Sequence, residues 1–291
     1  MPRFAYVNGS FLPHGSAQVH IEDRGFQFAD SIYEVIACID GVLADERGHF
    51  DRLARSLKEI GMAMPMPRNS LRLIIRELLR RNKLKNAAVY IQVTRGVYKR
   101  DFPFPPDHVP QTLVITARPF NFKRNPKIRK GIQVFSVPDL RWKRRDIKTT
   151  ALIAQVLAKQ QAVERGGYEA WMVDDSGFVT EGSSSNAWIV TNDGKIVTRA
   201  ATHDILRGVT RSAIEKICAD MHLQFVERSF TIAEAQKARE CFTSSAVALI
   251  MPVVKIDGKV IGGGKPGPVA LKLYDAYLDY AAKGKQVSWK A

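Results

Sequence analysis

The chain is short of cysteine, long apolar runs and acidic residues. Only Cys38, Cys218 and Cys241 occur in 291 residues. They are too few and too scattered for a disulfide framework or a Cys-x-x-Cys metal site, which points to a reducing, cytoplasmic setting. The longest nearly apolar stretch, 246–254, contains Pro252, whereas a bilayer span takes about twenty apolar residues, so no membrane segment is expected. The opening residues have neither the apolar centre nor the small-residue cleavage site of a signal peptide. His14, His20, His49, His108, His203 and His222 show no paired ligand spacing, and no metal is expected. No Gly-x-Gly-x-x-Gly follows a strand-like run. The glycines at 262–264 lack the flanks of a phosphate loop and read as a turn before the last helix.

Acidic residues number 29 against 44 Lys plus Arg, a net charge of +15. Such an excess suits nucleic acid, a membrane surface or an enzyme handling anionic ligands. The first two predict basic residues gathered on one face or tail. Here they recur along the whole chain, with modest clusters at 123–130 and 141–148. No recognition-helix pattern, zinc finger or ribonucleoprotein motif accompanies them, which argues against a nucleic-acid-binding protein. The composition, 45% hydrophobic and 25% charged, is that of an ordinary globular protein and excludes wholesale disorder. Length alone predicts two domains.

Helical spacing joins Leu53, Leu57 and Ile60; Leu71, Ile74, Ile75, Leu78 and Leu79; Ile153, Val156 and Leu157; Ile214, Ile217, Cys218 and Met221; and Leu271, Tyr274, Tyr277 and Leu278. Each stripe is expected to be a core face. Strand-like runs occupy 88–94, 112–117, 132–137, 169–174, 187–191 and 247–254. Turn pairs at Asn8-Gly9, Asp40-Gly41, Ser176-Gly177, Asp193-Gly194 and Asp257-Gly258 predict hairpins. The fold class is therefore α/β of the α+β type, with antiparallel or mixed sheets. The polar, basic 121–130 reads as a linker between a small domain at 1–120 and a larger one at 131–291.

Four segments carry chemistry. Leu206-Arg-Gly-Val-Thr-Arg211 leads into an amphipathic helix; Val209 and Thr210 would present N–H groups and a hydroxyl at its positive end, which suits a phosphate or plain helix capping. Glu181 stands among small polar residues in the turn at 180–186, and Thr243-Ser244-Ser245 closes a strand-like run; either could be no more than a polar turn. Arg141, Lys143, Arg144, Arg145 and Lys148 crowd one segment. Crowded cations favour the neutral lysine that attacks carbonyls, although the same pattern describes a solvated face.

In order along the chain stand Glu22-Asp-Arg-Gly-Phe-Gln-Phe-Ala-Asp30, Ile32-Tyr-Glu-Val35, His49-Phe-Asp-Arg-Leu53, Gln92-Val-Thr-Arg-Gly96, Asp146-Ile-Lys148, Val179-Thr-Glu-Gly-Ser-Ser-Ser-Asn186, Leu206-Arg-Gly-Val-Thr-Arg211 and Phe242-Thr-Ser-Ser245. Together they resemble the class IV (fold type IV) pyridoxal-phosphate aminotransferases, most closely those acting on D-amino acids. The resemblance implies a two-domain fold with a larger C-terminal pseudo-barrel domain and pyridoxal 5′-phosphate in the cleft between domains. It implies a homodimer in which Arg100 acts across the subunit boundary.

By the same resemblance, Lys148 forms the Schiff base and shuttles the proton at Cα. Glu181 pairs with the pyridine nitrogen and Leu206 covers the ring. Arg52, Val209, Thr210 and Ser245 hold the phosphate. Tyr33 and Arg100 meet substrate, with Glu34 and His49 behind them, while Arg24 belongs to the same pattern without a clear role. The implied reaction is a two-stage amino transfer from a D-amino acid, such as D-alanine or D-glutamate, to pyruvate or 2-oxoglutarate. Two positions depart from the pattern: Phe102 stands where a histidine is expected, and Ala37 where a lysine is common. Those departures leave branched-chain L-amino acids, (R)-amines and the aminodeoxychorismate lyase reaction as alternatives.

Overall fold

The computed structural model describes residues 3–283. Their contacts divide them into two compact units. One runs to Asn121 and takes in Ile147–Ala151; the other comprises Phe122–Asp146 and Leu152–Tyr280.

The first unit contains β1 (Phe4–Val7), β2 (Ser10–Pro13), α1 (Arg24–Phe28), β3 (Ser31–Ile39), β4 (Val42–Leu43), α2 (Glu46–Glu59), α3 (Arg68–Asn82), β5 (Ala87–Thr94) and β6 (Thr112–Pro119). Its six strands form an antiparallel sheet in the order β2-β1-β6-β5-β3-β4. The β1–β2 hairpin turns on Asn8 and Gly9, both at positive φ, as the Asn-Gly pair predicts. Apolar residues of α2 (Phe50, Leu53, Leu57) and α3 (Leu71, Ile75, Leu78, Leu79) recur every three or four positions. They form one core with Ile32, Ile36, Val89, Ile91 and Val93 of the sheet. Ile147 joins that core, bringing its short segment into the first unit.

The second unit contains α4 (Pro126–Lys130), β7 (Ile132–Pro138), α5 (Ile153–Glu164), β8 (Glu169–Val173), β9 (Val179–Gly182), β10 (Asn186–Val190), β11 (Ile196–Thr198), α6 (Val209–Asp220), β12 (Phe225–Glu227), α7 (Ile232–Ala235), β13 (Glu240–Ser245), β14 (Leu249–Ile256), β15 (Lys259–Val260) and α8 (Pro268–Ala282). Its sheet has nine strands. They run β12-β11-β10-β13-β14-β7-β8-β9, with β15 on β14, and the β7–β8, β7–β14 and β11–β12 pairs are parallel. The sheet is mixed and curls into a half-barrel. On β13 the polar residues Thr243 and Ser244 are buried at the middle of the sheet.

Three sequence expectations change. Residues 121–130 hold buried Phe122 and Ile128 and the helix α4, capped by Asn125, so this stretch is folded where a linker was expected. Of β13 only the end, at Thr243-Ser244-Ser245, is read from the sequence; its span is missed because Glu240, Thr243 and Ser244 break the apolar pattern. The stripe on α5 is no core face: Ile153, Val156 and Leu157 are 71%, 57% and 54% exposed, and Ala158 and Ala162 are the residues that α5 buries.

Candidate active site

In the first unit the site is built on one strand and one helix. Alternation along β3 sends Tyr33 and Glu34 to opposite faces. His49 and Arg52 lie three positions apart on α2 and so share a face. Both reach the fully buried Glu34: Arg52 donates through Nε at 2.6 Å and Nη2 at 2.8 Å, and His49 Nδ1 lies 2.8 Å from Oε2. Burial by itself would raise the Glu34 carboxyl, but the Arg52 guanidinium and His49 outweigh it and hold it well below the usual carboxylate range. Arg52, expected at a phosphate, thus spends two of its donors on Glu34.

On the other face, Tyr33 stacks on Tyr90 with ring centres 5.7 Å apart. Its backbone N–H donates to the Lys148 carbonyl at 3.0 Å, and the Thr150 N–H donates to the Ser31 carbonyl at 3.2 Å. The segment carrying Lys148 is thereby tied along the start of β3. Lys148 Nζ lies 4.3 Å from the centre of the Tyr33 ring, a cation–π contact. Among the described residues no carboxylate pairs with that amine. Three of the crowded cations read from the sequence have acidic partners: Arg141 binds Asp139 and Glu181, Arg144 binds Asp146, and Arg145 lies within 3.8 Å of Asp139 and Asp204. Arg100 is exposed, its guanidinium 5.2 Å from the centre of the Phe28 ring.

In the second unit, β9 holds Glu181 almost fully buried. Arg141 Nη1 and the Leu206 N–H, the latter at 3.1 Å, donate to its Oε1, and Asn186 Nδ2 donates to Oε2 at 3.0 Å. Asn186 also donates to the Leu206 carbonyl at 3.0 Å. Arg141 is anchored in turn by Asp139, to which it donates at 2.9 and 2.7 Å, and Thr180 donates to the same carboxylate at 2.7 Å. Burial pushes the Glu181 carboxyl upward against the pull of Arg141. Asp139 moves downward, because Arg141, Thr180 and Arg145 together overcome its burial.

From Leu206 the chain runs directly into α6. Gly208 is its N-cap, with no side chain capping the helix, and a Cβ there would overlap Asn186 Oδ1. Val209 is the first helical residue. Thr210 is buried, and its Oγ1 has no hydrogen-bond partner. Free N–H groups and an unsatisfied hydroxyl at the positive end of a helix make an anion receptor. Ser245, at the end of β13, accepts a hydrogen bond from the Ala248 N–H at 3.1 Å. Leu206 is half-buried.

The structure therefore gathers Tyr33, Glu34, His49, Arg52 and Lys148 in one unit, and Glu181, Leu206, Val209 and Thr210 in the other. Arg141, Asp139 and Asn186 escaped the sequence reading. Arg141 was visible only as one member of a basic cluster, and Asn186 only as the last letter of a motif. Among the described residues no cluster of His, Cys, Asp or Glu could hold a metal ion, and no helix is long and apolar enough to cross a membrane.

The sequence pattern of the family described as Amino-transferase class IV matches residues 31–256. The chain belongs to the class IV aminotransferases. Both groups of residues lie within the matched span. The D-alanine aminotransferase of Staphylococcus haemolyticus is 39% identical over 276 residues, covering 94% of this chain and 96% of the relative. That of Bacillus licheniformis is 36% identical over 92% of this chain and 94% of its own length. Among solved structures, the branched-chain aminotransferase of Thermoproteus uzoniensis with norvaline matches with a TM-score of 0.86 and 25% identity, covering 98% of this chain and 99% of that one. The branched-chain enzyme of Escherichia coli matches with a TM-score of 0.87 at 23% identity, over 99% of this chain and 100% of that one, a likeness of fold. The relatives of this chain thus include both D-alanine and branched-chain aminotransferases, and the higher sequence identity, 36–39% against 23–25%, is to the D-alanine enzymes.

Proposed function

We propose that this class IV aminotransferase moves an amino group between a D-amino acid and a 2-oxo acid such as pyruvate or 2-oxoglutarate, using pyridoxal 5′-phosphate. The observation that carries the cofactor is the buried, unpartnered Thr210 hydroxyl at the uncapped start of α6, reached directly from the Leu206–Glu181–Asn186 network. A carboxylate for a ring nitrogen is hydrogen-bonded to Leu206, four positions before Thr210 of the phosphate receptor. These residues fit the group. The likeness to D-alanine aminotransferases over nearly the whole chain supports the substrate class.

When bound, pyridoxal phosphate supplies an electron-poor ring that accepts the electron pair released at the substrate Cα. Lys148 Nζ provides the anchoring amine and then moves the proton at Cα. Glu181, oriented by Arg141 and Asn186, holds a proton at the ring nitrogen. The first N–H groups of α6, the Thr210 hydroxyl and Ser245 would hold the phosphate; Arg52, its guanidinium oriented by Glu34 and His49, is assigned to phosphate by the family pattern alone. Leu206 covers the ring, and Tyr33 and Arg100 orient the substrate carboxylate. The chain works as a cytoplasmic homodimer in this reading. Ile153, Val156, Leu157 and Val163 of α5 are exposed in the single chain, an apolar stripe that a second copy would cover in this reading. Cys38, Cys218 and Cys241 are all free thiols, as a reducing compartment favours.

The purified holoenzyme should be yellow, and borohydride should fix the cofactor mass on Lys148. A panel of D-alanine, D-glutamate, L-leucine, L-valine and (R)-1-phenylethylamine with each oxo acid tests the substrate. D-alanine and D-glutamate should react fastest; preference for an L-branched donor would overturn the D-specific reading in favour of the activity of its structural neighbours.

A further inference from the structure

Two buried arginines in the first unit share one carboxylate. Arg24 Nε donates to Asp30 Oδ2 at 2.9 Å, and Arg95 Nε donates to the same oxygen at 2.7 Å. The side chains of Arg24 and Arg95 are 4% and 9% exposed, so two cations are desolvated against one anion. A buried charge needs further partners, and backbone carbonyls supply them. Arg24 Nη1 donates to the Asp101 carbonyl at 2.6 Å, and Nη2 to that of Phe102 at 3.3 Å. Arg95 Nη2 donates to the Ile60 carbonyl at 2.6 Å, and its guanidinium stacks 3.6 Å from the centre of the Phe104 ring.

Both guanidinium groups therefore grip the loop that follows Arg100. The near end of that loop is held as well. The Arg24 N–H donates to the Gly96 carbonyl at 2.9 Å, the Tyr98 N–H donates to that of Glu22 at 3.3 Å, and Asp23 forms a bridge with Val97. Asp23 caps α1 through the Gly25 N–H at 2.8 Å and accepts from Thr94 Oγ1 at 3.0 Å. Gly25 sits so close to Thr94 that a Cβ would overlap its methyl group. Phe28 completes the arrangement. Its ring centre lies 4.8 Å from the Arg24 guanidinium and 5.2 Å from that of Arg100, and 5.7 Å from the ring of Phe102.

We propose that Arg24 is a positioning residue for Arg100. Clamped by Asp30, it fixes the carbonyls of Asp101 and Phe102, and with them the place from which Arg100 meets the substrate carboxylate. Phe102, in place of a histidine, gives the clamp a backbone carbonyl and leaves its ring against Phe28. Only a guanidinium can bind a carboxylate through Nε and two carbonyls through its terminal nitrogens at once; a lysine at this position keeps the charge and loses the fork. The consequence for substrate rests on Arg100 acting as the carboxylate anchor, while the consequence for the loop does not.

The test uses the holoenzyme of R24K, R100A and R24K/R100A. R24K should raise KM for D-alanine about tenfold with kcat within about twofold, the mark of a misplaced binding group in place of damaged chemistry. The double variant should be no worse than R100A, since a clamp has nothing left to position. Trypsin should cut after Lys99 and Arg100 about tenfold faster in R24K than in the parent. Unchanged cleavage, or KM effects that multiply in the double variant, would overturn the proposal. If R100A leaves KM unchanged, Arg100 is not the anchor, and the cleavage rate alone decides the clamp. D30N, which removes the shared anion, should move both readouts in the same direction and stands in for R24K should that variant fail to fold.

Discussion

Arg141 and Glu181, 40 positions apart in the chain, are joined by a buried ion pair that makes Glu181 available as an oriented carboxylate. Each of the two side chains is at most 6% exposed. Replacing Arg141 by leucine strands the carboxylates of Glu181 and Asp139 away from water. R141L should lose about 3–5 kcal/mol of unfolding free energy, measured by urea denaturation. R141L/E181Q should recover part of that loss by removing one stranded charge. A loss under about 1 kcal/mol in R141L would show that the pair is not desolvated.

Thr210 predicts opposite signs for stability and cofactor binding. Its buried hydroxyl has no partner in the protein, so T210V, nearly the same shape, should hold or slightly raise the urea midpoint. The same change removes a donor to a charged phosphate, worth about 1.5–3 kcal/mol, and should weaken pyridoxal phosphate binding at least roughly tenfold in an absorbance titration. Unaltered cofactor affinity would place the phosphate elsewhere.

Glu34 predicts a pH dependence. Its folded-state carboxyl is held below its unfolded value of about 4.3, so it contributes stability that is fully present above that pH and is lost as pH falls toward the folded value. E34Q lacks this contribution. At pH 7 it should be about 3 kcal/mol less stable than the parent, because the buried ion pair between Arg52 and Glu34 is broken. The gap should narrow at pH 3.5, as measured by chemical denaturation at both pH values. A gap independent of pH would mean that folding does not favour the ionised carboxyl.

The three thiols should be inert in the folded protein. Burial pushes Cys38 and Cys218 up to about 12, and Cys241 higher still. At pH 8 the reactive thiolate is then scarce as well as shielded. A dithionitrobenzoate assay should find no fast-reacting thiol in the native enzyme and three after denaturation. Fast release from the native protein would show that one of these sites opens readily.

The turns were the most legible part of the fold. Asn8-Gly9, Asp40-Gly41, Ser176-Gly177, Asp193-Gly194 and Asp257-Gly258 each connect antiparallel neighbours, because positive φ at such pairs is a local property of the residue types. The start of α6 was legible for the same reason: a glycine before an amphipathic run presents free N–H groups whatever surrounds it. The exposed stripe of α5 was not, since periodicity shows that a face is apolar and says nothing of what covers it. Nor was the span of β13, whose end alone was legible, since its polar residues are buried by neighbours on both sides of the strand.

The amino-acid sequence by itself determined most of the strands, the hairpin turns, the anion-receiving helix start and the order of motifs that mark the family. Each depends on residues within a few positions of one another. Tertiary structure alone decided which charges meet: Arg52 on Glu34, Arg141 on Glu181 and Asp139, and Arg24 with Arg95 on Asp30. The physical reason is that an ion pair depends on distance in space and on exclusion of water, and neither is encoded in spacing along the chain. An excess of 44 basic over 29 acidic residues could therefore be counted from the sequence, while the work given to particular arginines became visible only in the fold.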